Sequence, residues 1–154
     1  MRFSTTTVSA IVAALAAQTA NGSEAVSVTD LRIRKYNSPA GTSFPSANFT
    51  LNAADAKDLD CSATDFTFPE PTGKLPCGDS DYAFVFLPGS NGVEFSIMVY
   101  HDVGDSHADL RGGDNVPTKC VLEGDTPSDV LCIQQGGAVN LVIDGPVSPR
   151  RTRQ

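Results

Sequence analysis

The sequence predicts an all-β fold, a single antiparallel β-barrel or sandwich of short strands stapled by two disulfides. Three observations carry that expectation. Thirteen Gly and ten Pro in 154 residues interrupt the chain too often for a helical bundle. Apolar and polar residues alternate in short runs separated by turn signals, and no helical pattern lies between them. Four cysteines lie in a chain that opens like a secreted one, and in an oxidising compartment an even count implies two bridges.

The first segment is set apart from the fold. Arg2 precedes an apolar run, Val8–Ala17, which is shorter than the ~20 residues a membrane-spanning helix needs. Small residues follow, and Ala14-Leu15-Ala16 fits a small-x-small cleavage pattern, with cleavage after Ala17 or Ala20 as alternatives. Residues 1–20 therefore read as a signal peptide, 21–145 as the domain, and 146–154 as a disordered basic tail containing Arg150, Arg151 and Arg153. A processing protease specific for paired basic residues could cut at Arg150-Arg151.

Val26–Tyr36 is the first expected strand. Val26 and Val28 share one parity and Leu31 and Ile33 the other, so a bulge near Thr29-Asp30 is needed to bring all four to one face. Arg32 and Arg34 then point outward. In Ser46–Leu51, residues Ala47, Phe49 and Leu51 face inward. Asn48 begins an Asn-Phe-Thr glycosylation sequon on the solvent side, and Asn21-Gly22-Ser23 is a second sequon beside the cleavage site. Asn52–Asp60 is short and polar and reads as a loop with at most one helical turn. Tyr82–Leu87 and Val93–Tyr100 flank Pro88–Gly92 as a hairpin, with Val93, Phe95, Ile97 and Val99 inward. The first of these strands is apolar on both faces, so both should be covered. Cys120 opens a short strand, Asp129–Gln134 forms another, and Gly137–Asp144 closes the domain with Val139, Leu141 and Ile143 inward.

The cysteines are Cys61, Cys77, Cys120 and Cys132. Four allow three pairings. Local sequence favours the sequential one, because each such pair brackets a turn-rich segment, Phe66–Gly73 or Glu123–Asp129. No Cys-x-x-Cys is present and the spacings fit no common zinc pattern. No cysteine is left over to act as a catalytic thiol.

No catalytic constellation stands out. His101 and His107 sit in an Asp-rich segment ending at Asp109. Such residues can ligate metal, but the spacing matches no defined site and reads as a solvated loop. Ser90 is in a turn and not in a nucleophile elbow. Gly112-Gly113 precedes no helix and cradles no phosphate. Nothing selects a pair of the 18 acids for glycoside hydrolysis. The expectation is a protein that is not an enzyme and takes no cofactor or metal.

Family resemblance comes from a longer stretch of residues. Val28–Tyr36, Leu59-Asp60-Cys61-Ser62-Ala63, Cys77-Gly78-Asp79-Ser80 before the Tyr82 strand, and Pro117-Thr118-Lys119-Cys120 followed by Pro127–Cys132 occur in order. This arrangement resembles the fungal secreted family named for the major allergen of Alternaria, over Val26 to Asp144. The resemblance implies an antiparallel β-barrel with disulfides Cys61–Cys77 and Cys120–Cys132. It implies a secreted or wall-associated allergen that acts as an effector or elicitor by binding a host defence protein or a cell-wall component. A carrier of small phenolic-type ligands is the alternative, since a barrel can enclose one small molecule. The founding member has an additional cysteine that links two chains. No cysteine precedes Cys61 here, so a monomer or non-covalent dimer is expected.

Charge adds to this. All 18 acids but only seven of the 11 Lys and Arg fall within 21–145, giving the domain a net −11. That excludes a nucleic-acid surface and favours a basic partner. No later stretch is apolar enough to span a membrane. The candidate contact surfaces are Pro88–Gly92, Asp102–Asp114 and a basic strip of Arg32, Arg34 and Lys35.

Overall fold

The structure is a computed structural model and describes residues 22–104 and 109–145. The leader, the Asn21 sequon, His107 and the basic tail lie outside these residues. Among the described residues ten strands follow one another: β1 Ser23–Ser38, β2 Gly41–Ala53, β3 Ala56–Phe66, β4 Leu75–Pro76, β5 Tyr82–Pro88, β6 Phe95–His101, β7 Leu110–Val116, β8 Thr118–Leu122, β9 Asp129–Gln134 and β10 Val139–Asp144. The described residues contain no helix, and every pairing is antiparallel. The order β3-β2-β1-β10-β7-β6-β5-β4 forms a nearly closed barrel, with β9 added to β1 and β8 to β9.

The expected bulge in β1 makes this branching possible. Asp30 takes φ 57°, and the register to β2 shifts between Thr29 and Arg32. Aspartate tolerates this left-handed conformation better than most residues. The bend brings Val26, Val28, Leu31 and Ile33 all into the core. It also divides one edge of β1, so that Ser23–Val28 pairs with β10 and Arg32–Tyr36 with β9. Gln134 fills the fork: its Oε1 accepts from Leu31 N–H (2.9 Å), and its Nε2 donates to the carbonyls of Val28 (3.0 Å) and Gly137 (2.7 Å). Backbone groups left unpaired by the bulge are thereby satisfied.

The barrel's terminal strands, β3 and β4, are joined by chemistry. Cys61 on β3 bonds Cys77, the residue after β4, with Cα atoms 4.4 Å apart, so the first bridge fastens the seam. The second, Cys120–Cys132, links directly paired positions of β8 and β9, Cα to Cα 3.9 Å. The interior is aromatic. Phe49 lies 4.8 Å from Phe84 and 6.4 Å from Phe86, and Phe44 bridges Phe66, Phe68 and Phe95. These edge-on and tilted geometries are the ones ring quadrupoles favour.

Three sequence expectations need correction. Asn52–Asp60 is not a loop: β2 runs to Ala53 and β3 starts at Ala56. Ala, Lys and Asp are weak strand formers, but β2 supplies the pairing partner, and Cys61 and Ala63 alternate inward. Val93 is not in the hairpin's second strand. Pro88 pairs with Phe95, and Gly89 N–H bonds Glu94 O (3.0 Å), leaving Val93 half-buried in the turn. The segment Asp102–Asp114 is not all loop, because β7 starts at Leu110. Gly112 and Gly113 hid that strand, yet they suit it. A Cβ at Gly112 would collide with the Val142 carbonyl and one at Gly113 with the Ile97 carbonyl, so close approach of β6 and β10 requires glycine there.

Candidate functional site

Two regions gather polar chemistry. The first is buried at one end of the barrel. Glu24 is the second residue of β1, Tyr82 opens β5 and His101 ends β6, so all three lie at strand ends. Glu24 is 6% exposed and His101 7%. Glu24 Oε2 meets His101 Nδ1 at 2.7 Å, Tyr82 Oη donates to Glu24 Oε1, and the Tyr82 and His101 rings stack at 4.1 Å. Ala54 N–H also donates to Glu24 Oε1 (3.3 Å). Burial first, then the hydrogen bond and charge of Glu24, push the Tyr82 phenol well above its ordinary range, because phenolate would be desolvated beside a carboxylate.

This cluster corrects the reading of His101 as part of a solvated loop. Sequence separations of 58 and 77 residues hid it. The available signal was a polar residue at the end of each of three apolar runs. Above the cluster lies an open cleft of about 820 Å³ lined by Glu24, Asn52, Asp55, His101, Val103 and Asn140. Asp81 and Asp102 line an adjoining depression with Asp55 and His101, so this end of the barrel is acidic. Among the described residues no serine or threonine hydroxyl bonds His101. Ser80 Oγ donates instead to Cys77 O (2.6 Å).

The second region is the outer face of β1, β9 and β8. Register places Arg32 beside Ile133 and Ile133 beside Lys119. It likewise aligns Arg34, Leu131 and Val121. Because alternate residues share a face, these six side chains lie on the side opposite the buried Ile33 and Cys132. Val121 is 41% exposed, and Leu131 and Ile133 are half-buried. Asn48 is exposed and pairs with Arg32 across β2 and β1, so the sequon borders this face.

The basic strip is split by the fold. Arg32 and Arg34 share the outer face, and among the described residues Arg32 has no ion-pair partner. Arg34 is held by Asp129, its Nε donating to Oδ1 (2.9 Å) and its Nη2 to Oδ2. This hydrogen bonding and charge lower the Asp129 carboxyl and raise the Arg34 guanidinium. Lys35 pairs across to Val130 on the inner side, meets Glu94 at 2.6 Å, and its side chain is only 16% exposed. It therefore belongs to the barrel's end and not to the face. The turn Gly89–Glu94 is pinned by Asn115, whose Oδ1 accepts from Ser90 N–H (3.0 Å) and whose Nδ2 donates to Ser90 O and Oγ. Glu94 also lies by the Cys120–Cys132 bridge, where the sulfurs are bonded to each other and offer no thiolate to a metal.

The model of the family described as Alternaria alternata allergen 1 matches residues 28–132. Two crystal structures of the Alternaria alternata major allergen Alt a 1 share the fold. One is 21% identical with a TM-score of 0.62, over 81% of this chain and 96% of that one. The other is 22% identical with a TM-score of 0.62, over 86% and 96%. No curated protein matches the chain.

Proposed function

Since the chain belongs to the Alternaria alternata allergen 1 family, we propose that it is secreted and acts by binding a host or cell-wall component, as an effector or elicitor, without catalysing a reaction. The observation that carries this reading is the outer face of β1, β9 and β8, where Val121, Leu131 and Ile133 form an apolar stripe between Arg32, Arg34 and Lys119. Partly exposed apolar side chains flanked by arginine, on a rigid sheet, match the chemistry of protein-binding surfaces. The leader and two disulfides support secretion. Non-catalytic action is supported by the commitment of Glu24 to Tyr82, His101 and Ala54.

The test is infiltration of the purified protein into leaves. The folded protein should trigger a defence response, the reduced and heat-denatured protein should not, and a folded Arg32→Glu, Ile133→Asp variant should be several-fold weaker. An equal response from the double variant would remove the face from the account, and no response across several hosts would remove the elicitor role. Asn48 borders this face, and a glycan there is part of the proposal. An intact mass of the secreted protein that falls by one glycan in Asn48→Gln supports it, and an unchanged mass removes it.

One observation favours the carrier reading as the second choice. The acidic cleft above Glu24 and His101 has a volume, about 820 Å³, within the range of small-molecule sites. The barrel interior is filled by the fully buried Phe49, Phe84, Phe86 and Phe95, so a carried ligand would sit in that cleft. A thermal shift with phenolic compounds that is lost in His101→Ala would support it.

A further inference from the structure

We infer that two copies of the chain pair edge to edge through β8, in one register centred on Val121. This goes beyond the binding reading above, since the partner is the chain itself and the contact is a strand edge. Among the described residues β8 pairs only with β9, whereas the barrel's other terminal strands are fastened to each other by the Cys61–Cys77 bridge. An unpaired strand edge is a template for another strand.

Hydrogen-bond parity shows which groups are free. Glu123 N–H donates to Asp129 O, and Gln135 N–H donates to Pro117 O, both 2.8 Å. Residues 117, 119, 121 and 123 therefore direct their backbone groups to β9, and Thr118, Cys120 and Leu122 direct theirs outward. In an antiparallel self-pair about a twofold axis, outward-directed residues must face one another. Placing the axis at Val121 sets Cys120 against Leu122 of the second copy, and Val121 against its own mate.

The same register sets Lys119 against Glu123 of the second copy, twice by symmetry. Moving the axis to Cys120 or to Leu122 keeps the backbone parity but opposes Lys119 or Glu123 to Val121. Charge complementarity thus selects one register. Val121 is 41% exposed and Leu122 65%, so pairing covers apolar surface on both faces of the ribbon. Pro117 and the turn at Gly124, with φ 76°, confine the edge to five residues. Each copy uses its edge on the other, so assembly closes at two and does not grow. An interface this short makes a weak dimer, seen at millimolar and not at micromolar concentration.

Sedimentation equilibrium on the disulfide-bonded protein tests this, with far-ultraviolet circular dichroism and melting to confirm folding of each variant. The expected result is a reversible dimer that weakens as salt rises. Leu122→Pro removes an outward N–H without touching the ladder to β9 and should abolish it. Lys119→Glu and Glu123→Lys should each lower association about tenfold by opposing like charges. Mixed in equal amounts, these two variants should dimerise with each other as the wild type does with itself. A wild type that stays monomeric at millimolar concentration would overturn the inference. So would a dimer indifferent to Leu122→Pro, or charge variants that fail to complement on mixing.

Discussion

Removing the Cys61–Cys77 bridge by Cys61→Ala with Cys77→Ala should cost more global stability than removing Cys120–Cys132 in the same way. Chain entropy alone does not distinguish them: the bridges join residues 16 and 12 apart, and each loop is worth about 3 kcal/mol. The surroundings do distinguish them. Of the second bridge only Cys132 is fully buried, whereas both Cys61 and Cys77 are, so lost burial adds about 1 kcal/mol at the second bridge and about 2 kcal/mol at Cys61–Cys77. The bond also fastens β3 to β4, strands that share no ladder. The sum is about 5 kcal/mol, a large part of the 5–15 kcal/mol of a typical domain. Loss of Cys120–Cys132 frees β8, an exposed strand held to β9 alone among the described residues, so its effect should be local. Guanidinium unfolding gives the global cost, and amide exchange shows where protection is lost. The first variant should unfold at much lower denaturant. The second should lose protection in β8 and keep it in β5 and β6. Equal global losses from both would refute the idea that the first bridge closes the barrel.

Other consequences concern titration and packing. Because the native state holds the Tyr82 proton more tightly than the unfolded chain does, this group's stabilisation is complete below about pH 10 and is lost as pH rises through its native value. Tyr82→Phe should flatten the alkaline limb of stability while costing about 1–3 kcal/mol at neutral pH through the bond lost to Glu24. The lowered Asp129 carboxyl works in the opposite direction: its stabilisation is present above the ordinary carboxylate range and disappears as pH falls through its native value. Carboxyl resonances of Asp129 followed by NMR should titrate at higher pH in Arg34→Gln, and an unchanged titration would show that the pair is not formed in solution. Phe49→Ala should lower stability by about 3–5 kcal/mol in denaturant melts, since Phe49 is 1% exposed and packs on both Phe84 and Phe86.

The fold was largely legible because its signals are local. Alternation in β2, β5, β6 and β10, the parity conflict around Asp30 and the turn-rich segments between paired cysteines each lie within about a dozen residues. What was hidden depends on tertiary partners. β3 is composed of weak strand formers and exists because β2 pairs with it. β7 carries two glycines that read as loop until Val142 and Ile97 are seen to crowd them. The same limit applies to the sites. Arg32 and Arg34 were correctly placed outward, but Lys35 alternates with them, falls on the side of Ile33 and meets Glu94. The apolar stripe between the arginines comes from β8 and β9, about a hundred residues later in the chain. The grouping of Glu24, Tyr82 and His101 is a product of barrel closure, which no single segment encodes.

The proposed binding role places the partner on the face of β1, β9 and β8. The most direct test is capture from plant apoplastic fluid on immobilised, disulfide-bonded protein, comparing the wild type with folded Ile133→Asp. A component should be retained by the wild type, lost by the variant, and cross-linked to residues around Arg32 and Lys119. Retention of the same components by both proteins, or cross-links confined to the acidic cleft above His101, would contradict it.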